Sequence, residues 1–271
     1  AAAVFFIHDL IPIDYPEFNR PLEPARHAAR IATVSRHARR VLVNSAATRD
    51  SLLAYQGRHG LPSPPVSVLP LGVDRRLADT GAPALQPAVP YFMVLSTIEP
   101  RKNHQLLLEV WRRLVESDAK GAPRLLVVGK RGWENQNVFN LLDRMPALSQ
   151  HVVECHGLSD AQLGLLLRGA RALLSPSLAE GYGLPVAEAL AAGTPVIASS
   201  IAAHREVGGE FADYLDPLDG LGWVEAVREY AADILPHRMA QREHLARYRA
   251  PDWETHLAAA LALIREASDG D

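Results

Sequence analysis

The sequence predicts an α/β protein whose parallel sheets are covered by helices on both faces. Short apolar runs of strand length alternate with longer segments of helical periodicity along most of the 271 residues. That alternation is typical of parallel strands joined by crossover helices. Four turns each follow a predicted strand, at residues 96–103, 129–133, 156–160 and 175–184. Ligands of such sheets bind beyond the carboxyl ends of the strands, so we expect the four turns to line one cleft.

The N-terminal part of the chain contains three predicted strands, namely Val4–Ile7, Val41–Val43 and Val66–Leu69. Between the first two, a proline-punctuated loop is expected over Leu10–Pro24 and a basic helix over Glu23–Arg40. Ser45 is a natural N-cap for a helix over Ala46–Gln56. The stretch Leu77–Pro90 is rich in proline and alanine and has no period, which indicates a linker.

Strands and helices alternate more regularly after the linker. The predicted strands are Tyr91–Leu95, Arg124–Val128, Val152–Cys155, Ala172–Leu174 and Pro195–Ala198. The predicted helices are Gln105–Val115, Asn137–Arg144, Asp160–Gly169, a short helix that begins at Pro185, Trp223–Tyr230, Met239–Tyr248 and Asp252–Glu266.

The stretch Ser175–Ser200 is the most informative part of the sequence. It reads as a strand, a glycine-rich turn, a short helix and a second strand. Pro185 suits the first helical position, where its missing N–H is not needed, and Gly193 suits the C-terminal cap. Glu180 and Glu188 flank the turn eight residues apart. Both carboxylates can therefore face a ligand held over the helix N-terminus, where free N–H groups favour a phosphate.

This pattern resembles the E-x7-E motif of retaining GT-B glycosyltransferases, in the GT4-like family that includes bacterial mannosyl- and rhamnosyltransferases. Three further segments are similar to that family and occur in the expected order. They are the basic turn Thr97–Asn103, the strand and loop Val66–Asp74, and the histidine segment Phe6–Asp9. The resemblance implies two Rossmann-like domains that face a cleft.

The same resemblance implies how the chain is divided. Residues 1–78 correspond to an acceptor-side domain whose first strands are absent from this sequence, so we expect that domain to be incomplete. Residues 88–250 correspond to the domain that binds the nucleotide sugar. The helix over 252–266 is expected to pack back onto the first domain.

A departing nucleoside diphosphate gains negative charge, so its transfer chemistry needs fixed cations or dipoles. No DxD triplet or clustered metal-ligand set stands out in the sequence. Arg101 and Lys102, which have no other evident partner in the sequence, are the expected substitutes. We therefore predict a metal-independent reaction without a cofactor.

The resemblance assigns further roles at the donor site. Glu188 is expected to accept hydrogen bonds from the ribose hydroxyls, and Glu180 from the transferred sugar. His8 is implied as a sugar or acceptor contact, and it joins Glu180, Arg101 and Lys102 as the catalytic set. The remaining predicted donor contacts are Thr97, Lys130, Leu158, Gly181, Tyr182, Gly183 and Leu184. Lys130 is as readily explained as a solvated lysine.

Composition excludes several classes of protein. The formal net charge is −3, so no general field attracts nucleic acid. The single cysteine, Cys155, excludes an internal disulfide and fits a reducing compartment. No apolar run is long enough to span a membrane, and the apolar start lacks the basic region of a signal peptide. We expect a cytoplasmic protein. The helix Glu23–Arg40 is basic enough to contact anionic lipid at the inner face of a membrane, but a solvated face is the preferred interpretation.

The preferred hypothesis is a retaining transferase that moves a hexose, with mannose from GDP-mannose as the expected donor, to a glycan or lipid-linked acceptor. Donors of the UDP-glucose type remain open. One alternative is a nucleotide-sugar-binding module or fragment without catalysis. A Rossmann dehydrogenase is disfavoured, because no G-x-G-x-x-G follows the first strand of either half.

Overall fold

The computed structural model of the chain describes residues 3–74, 87–232, 241 and 243–269. Two parallel sheets form its framework. The first has the strand order β1-β2-β3, with β1 Ala3–Ile7, β2 Ala38–Val43 and β3 Val66–Val68. The second has the order β6-β5-β4-β7-β8-β9. Its strands are β4 Tyr91–Leu95, β5 Arg124–Val128, β6 Val152–Cys155, β7 Leu173–Ser175, β8 Val196–Ser199 and β9 Asp213–Leu215.

Helices connect the strands of both sheets. In the first part of the chain they are α1 Ile11–Asp14, α2 Glu23–His37 and α3 Ala46–Arg58. The second part contains α4 His104–Ser117, α5 Gln136–Arg144, α6 Asp160–Gly169, α7 Leu184–Ala191, α8 Ala202–Gly208, α9 Gly220–Ala231 and α10 Trp253–Asp269. Within the described residues, no helix is both long and apolar enough to cross a membrane. We call β1–β3 with α1–α3 the N-terminal lobe, and β4–β9 with α4–α9 the C-terminal lobe.

The C-terminal sheet is buried on both faces. Successive side chains of β4 alternate between two hydrophobic clusters, as the pleat of a strand requires. Phe92 packs with Trp111 and Trp223 on the face covered by α4, α5 and α9. Met93 packs with Val186 on the opposite face, which α6 and α7 cover. The carboxyl ends of β4, β5, β6 and β7 lie side by side at one edge, so this sheet positions the predicted turns together.

Most predicted strands and helices are present within one or two residues of the expected bounds, but the region before β2 is different. The helix predicted over Glu23–Arg40 ends at His37, and β2 begins at Ala38 rather than at Val41. Pairing explains the change, because β2 is the central strand and its residues Ala38 and Arg40 pair with Ala3 and Val4 of β1. Sheet pairing thus overrides the helical pattern of these residues.

One other expectation needs correction, and two elements were not predicted. The loop expected over Leu10–Pro24 contains the helix α1 and a 3-10 turn at Pro16–Phe18, and a proline lies in the first turn of each. The two unpredicted elements are α8 and β9. Both are short, and α8 has no capping side chain at its start.

Most of the expected linker, residues 77–86, lies outside the described residues. Of the expected helix Met239–Tyr248, residues 241 and 243–245 are helical, residues 246–248 are not, and the other three lie outside the described residues. After that region, α10 returns to the N-terminal lobe. Val73 bridges to Asp252, and an ion pair of 3.4 Å joins Arg40 to Glu266. Nδ1 of His256 lies 2.8 Å from the carbonyl of Pro70. These contacts attach α10 and the residue before it to β2 and to the segment that follows β3.

Candidate functional site

The glycine-rich turn joins β7 to α7 at the edge of the C-terminal sheet. Gly183 is the N-cap of α7, and its φ of 100° lies in the left-handed region that favours glycine. The helix begins at Leu184, so Pro185 occupies the second helical position and not the first. After the helix, Gly193 has φ 71°, as a C-terminal cap requires. The backbone N–H groups at the start of α7 have no capping side chain.

A buried ion cluster lies beneath this turn. The Glu180 carboxylate accepts from Lys102 Nζ at 2.5 Å and from an Arg101 guanidinium nitrogen at 2.9 Å. The hydroxyl of Ser177 donates to the same carboxylate at 2.8 Å. The side chains of Glu180 and Lys102 are only 8% and 11% exposed. The two cations, for which the sequence shows no evident partner, are therefore both paired with one of the two motif glutamates.

The cluster fixes the charge state of Glu180. Burial alone would raise its pKa, but the attraction of Lys102 and Arg101 outweighs burial and lowers the pKa to about 2. Glu180 is therefore ionised at neutral pH, and it can accept hydrogen bonds but cannot donate a proton. A carboxylate held between two cations is also a poor nucleophile.

The two cations come from a tight turn after β4. Pro100–Lys102 forms a 3-10 turn, and the carbonyl of Arg101 accepts a hydrogen bond from Leu178 N at 2.8 Å. Glu99 lies 3.6 Å from the guanidinium of Arg101. Basic residues just before a helix are unfavourable with its dipole. Their carboxylate partners offset that cost and hold the cations beside the glycine-rich turn.

Glu188 lies inside α7 and has a different environment from Glu180. Burial, together with the carboxylates of Asp160 and Asp74, raises its pKa to about 7. The two glutamates of the motif therefore differ in charge state at neutral pH, since Glu180 is fully ionised while Glu188 is only partly ionised. Such a division of pKa values is common at functional sites.

A buried histidine, His204, supports the turn from below. Its Nδ1 lies 3.0 Å from Ser199 Oγ and 3.1 Å from the Ser199 carbonyl, and its Nε2 lies 3.2 Å from Ser175 Oγ. A carbonyl can only accept, so Nδ1 carries the proton and Nε2 accepts from Ser175. A Cβ at Gly183 would lie 2.9 Å from the His204 ring. The histidine therefore fixes how closely the turn approaches α8.

The glycine-rich turn also contacts the N-terminal lobe. The carbonyl of Gly181 accepts from Ser45 Oγ at 2.6 Å, and Thr48 Oγ1 lies 3.1 Å from the same oxygen. A Cβ at Gly181 would lie 2.4 Å from the carbonyl oxygen of His8, so only glycine fits between the lobes here. His8 itself follows β1, is exposed, and contacts the Phe6 ring in a tilted arrangement, with 4.8 Å between the ring centroids. The structure thus brings the predicted residue His8 next to Gly181.

A second contact joins the lobes at the start of α3. The backbone N–H groups of Ala46 and Ala47 donate to the Glu206 carboxylate at 2.7 and 3.1 Å. Glu206 belongs to α8, so the carboxylate of one lobe caps a helix of the other and interacts favourably with its dipole. Ser45 caps the same helix through Thr48 N, as predicted from the sequence.

The other predicted donor contacts lie around the same edge of the sheet. Thr97 and Lys130 are exposed and follow β4 and β5, and the Lys130 carbonyl accepts from Ile98 N at 2.9 Å. Leu158 is half-buried against the cluster that includes α6 and α7. The Tyr182 hydroxyl, however, donates to the Leu71 carbonyl at 3.2 Å, so its side chain joins the lobes and only its backbone is available to a ligand.

Three residues of the site were not singled out in the sequence, namely Ser177, His204 and Glu206. Ser177 stands three residues before Glu180, a spacing that a local search for carboxylate partners could have found. His204 and Glu206 lie on α8, which was not predicted. Within the described residues, no group of three or more His, Cys, Asp or Glu side chains could hold a metal ion.

The chain matches a protein family, several curated proteins in sequence, and several solved structures in fold. Residues 81–221, just over half of the chain, match the family "Glycosyl transferases group 1". The serotype-specific mannosyltransferase WbdA of Escherichia coli is 30% identical over 86% of this chain and 30% of its own length. The O-antigen chain mannosyltransferase B of Escherichia coli is 29% identical over 93% of this chain and 67% of its own length. The chain therefore spans only about 30% of the length of the first curated relatives that it matches.

Among solved structures, Anabaena HepE in complex with UDP-glucose superposes with a TM-score of 0.75. The match covers 97% of this chain and 72% of HepE at 17% identity. Similarity at that identity concerns the fold alone, and it confirms the GT-B architecture expected from the sequence.

Proposed function

Since the chain belongs to the glycosyl transferases of group 1, we propose that it transfers a mannosyl residue from GDP-mannose to a glycan or lipid-linked acceptor, with retention of configuration. The buried cluster of Arg101, Lys102 and Glu180 is the observation that carries this proposal. It places two fixed cations beside the glycine-rich turn, next to the uncapped N-terminus of α7.

This arrangement suits a leaving nucleoside diphosphate. Charge develops on the phosphate oxygen as the bond to the sugar breaks, and preorganised cations and N–H dipoles stabilise that charge. Arg101 is more exposed than Lys102, with 23% of its side chain accessible, so it can exchange a carboxylate oxygen for a phosphate oxygen. Glu180 then keeps Lys102 in place and accepts hydrogen bonds from the transferred sugar.

The proposed reaction needs no metal ion, because Arg101 and Lys102 supply the positive charge that a divalent cation supplies in other transferases. It also needs no proton from Glu180, which is ionised at neutral pH. We propose that the leaving phosphate itself assists attack on the same face of the sugar. This route retains the anomeric configuration without a nucleophile from the protein.

The choice of donor rests on the relatives. WbdA and mannosyltransferase B are both named as mannosyltransferases, and this supports mannose as the transferred sugar. The solved HepE complex contains UDP-glucose, so a UDP-sugar is the main alternative donor. In either case we propose that Glu188 accepts hydrogen bonds from the ribose and that Leu158 packs against the base. Thr97, Lys130 and the backbone of Gly181–Leu184 would complete the donor site.

We propose a cytoplasmic location with peripheral contact to the inner face of a membrane, where a lipid-linked acceptor is held. Two exposed basic side chains of α2 support this part of the proposal, namely Arg26 and Arg36. Arg30 is also exposed but pairs with Glu23 at 2.9 Å. Each basic residue near an anionic surface contributes about 1 kcal/mol. Sedimentation with vesicles of anionic and of neutral lipid tests it: binding to the anionic vesicles alone is expected, and equal recovery with both would contradict it.

Calorimetric titration of the chain with GDP-mannose, UDP-glucose and NAD tests the donor. We expect GDP-mannose to bind most tightly, with the same affinity in EDTA and in Mg²⁺. A large loss of affinity on chelation would contradict the metal-independent site, and binding of NAD alone would contradict the family-based function. Release of GDP from bound GDP-mannose, measured with and without a mannoside acceptor, separates a transferase from a binding module.

A further inference from the structure

A cavity lies between the N-termini of α4 and α5. Its volume is about 550 Å³, within the range of roughly 300–1,000 Å³ typical of small-molecule sites. We call it the α4–α5 cavity. It is lined by Pro100, Asn103, His104, Gln105, Glu134, Asn135, Gln136, Asn137, Val138 and Leu178. Arg101, Lys102 and Glu180 are not in its lining, so it is separate from the ion cluster.

Two buried polar groups in this lining have no hydrogen-bond partner within the described part of the chain. They are Nδ1 of His104 and Nδ2 of Asn135, on residues that are 2% and 9% exposed. Buried polar groups in proteins are nearly always paired, so an unpaired group needs an explanation. Neither α4 nor α5 has a capping side chain, which leaves first-turn N–H groups of both helices open to a ligand.

The chemistry of the lining selects among ligands. Four carboxamide side chains, those of Gln105, Asn135, Gln136 and Asn137, offer both donors and acceptors. Asn103 offers only its amide oxygen, because its nitrogen donates to the carbonyls of Pro176 and Pro217. The Glu134 carboxylate is the one charged group in the lining and repels a phosphate. The two helix N-termini disfavour a metal cation. A sugar hydroxyl both donates and accepts hydrogen bonds. A neutral, hydroxyl-rich ligand therefore matches these side chains better than a phosphate or a metal cation does.

We propose that the α4–α5 cavity binds a neutral sugar unit of a glycan, at a site distinct from the donor site. Pro100 and Asn103 line the cavity, and they lie directly before Arg101 and directly after Lys102 in the sequence. Leu178 also lines it and donates to the carbonyl of Arg101 at 2.8 Å. A glycan bound here lies directly beside the turn that holds the cations, where it can keep an acceptor chain close to the reacting sugar.

Saturation-transfer NMR and calorimetry with two neutral trisaccharides, α-mannotriose and maltotriose, test the proposal on the full chain. We expect one or both to bind the unaltered protein, with equal affinity in the presence and absence of GDP. The variant Gln105→Ala/Asn137→Ala should bind about tenfold more weakly, as expected for two lost hydrogen bonds. Both side chains are exposed, so the fold should be retained. Gln150→Ala, exposed and outside the cavity, is the matched control.

The proposal is overturned if neither trisaccharide binds, or if the double variant binds as tightly as the control. It is also overturned if inorganic phosphate binds in the cavity instead of a sugar. In that case the unaltered protein would bind phosphate and the double variant would not. Its failure is distinguishable from that of the proposed function, because donor binding is measured separately with GDP-mannose. The mannose probe rests on the proposed function, whereas maltotriose does not.

Discussion

Lys102 illustrates at the scale of a single residue how a buried charge is stabilised at the candidate site. A buried lysine is costly unless it is paired, and here Glu180 supplies the pair. We expect Lys102→Met to lower the free energy of unfolding by about 3 kcal/mol, because Arg101 is then the one cation left beside the buried Glu180 carboxylate. Urea denaturation measures the change, and Lys120→Met, at an exposed lysine, is the control.

A double-mutant cycle with Glu180→Gln identifies the cause of that loss. The double variant should be more stable than the sum of the two single changes predicts, because the unpaired buried charge is removed. Strict additivity would show that Lys102 and Glu180 do not stabilise each other.

Glu188 differs from Lys102, because its replacement is expected to stabilise the protein above neutral pH. Its pKa rises from the ordinary value of 4.5 to about 7 in the folded protein, so folding favours the neutral form. The unfolded chain ionises this carboxylate first, and stability is lost as the pH rises from 4.5 through 7. Glu188→Gln removes that loss. The gain in free energy of unfolding over the unaltered protein should therefore be larger at pH 8 than at pH 4.5, by on the order of 3 kcal/mol.

Chemical denaturation at both pH values measures this effect, and Glu225→Gln, on the exposed side of α9, controls for removing a carboxylate elsewhere. If Glu188→Gln and Glu225→Gln show the same pH dependence of stability, Glu188 is not buried as described.

The glycine-rich turn is the element on which both lobes depend. Gly181→Ala would place a Cβ 2.4 Å from the backbone oxygen of His8, and neither backbone can move without separating the lobes. We expect this variant to lose at least about tenfold in affinity for GDP-mannose, the scale of one displaced charged hydrogen bond. The comparison is Gly57→Ala in α3, where a Cβ meets no atom within 4 Å. That variant should be neutral or slightly stabilising, and equal affinity in the two variants would contradict the close approach.

The turn also shows what the sequence could and could not predict. Gly183, Pro185 and Gly193 each have a local conformational reason for their positions, so the strand, turn and helix could be predicted in order. The pairing of Glu180 with Arg101 and Lys102 could not, because 78 or more residues separate the partners and only the sheet brings them together. For the same reason, β2 begins earlier than its sequence pattern indicates, since pairing with β1 decides its start.

At the scale of the whole molecule, two contacts of α3 hold the lobes together. Ser45 donates to the carbonyl of Gly181, and Glu206 accepts from the first N–H groups of α3. We expect Glu206→Ala to shift the lobes apart, because it leaves these N–H groups and the helix dipole without an anion.

Small-angle X-ray scattering should detect a larger radius of gyration for Glu206→Ala than for Glu229→Ala, an exposed glutamate of α9. GDP-mannose should reverse the increase if the donor binds between the lobes. Identical scattering from the two variants would show that this contact does not hold the lobes together.

The central claim is that Glu180 neutralises the phosphate-binding cations until the donor arrives, and then binds the transferred sugar. Calorimetry with GDP and GDP-mannose against Glu180→Gln and Glu188→Gln tests it most directly. Glu180→Gln should bind GDP at least as tightly as the unaltered protein, because its cations are no longer neutralised, while the extra affinity contributed by mannose is lost. Glu188→Gln should weaken both ligands, since both contain the ribose. If Glu180→Gln weakens GDP as much as GDP-mannose, the proposed roles of the two glutamates are wrong.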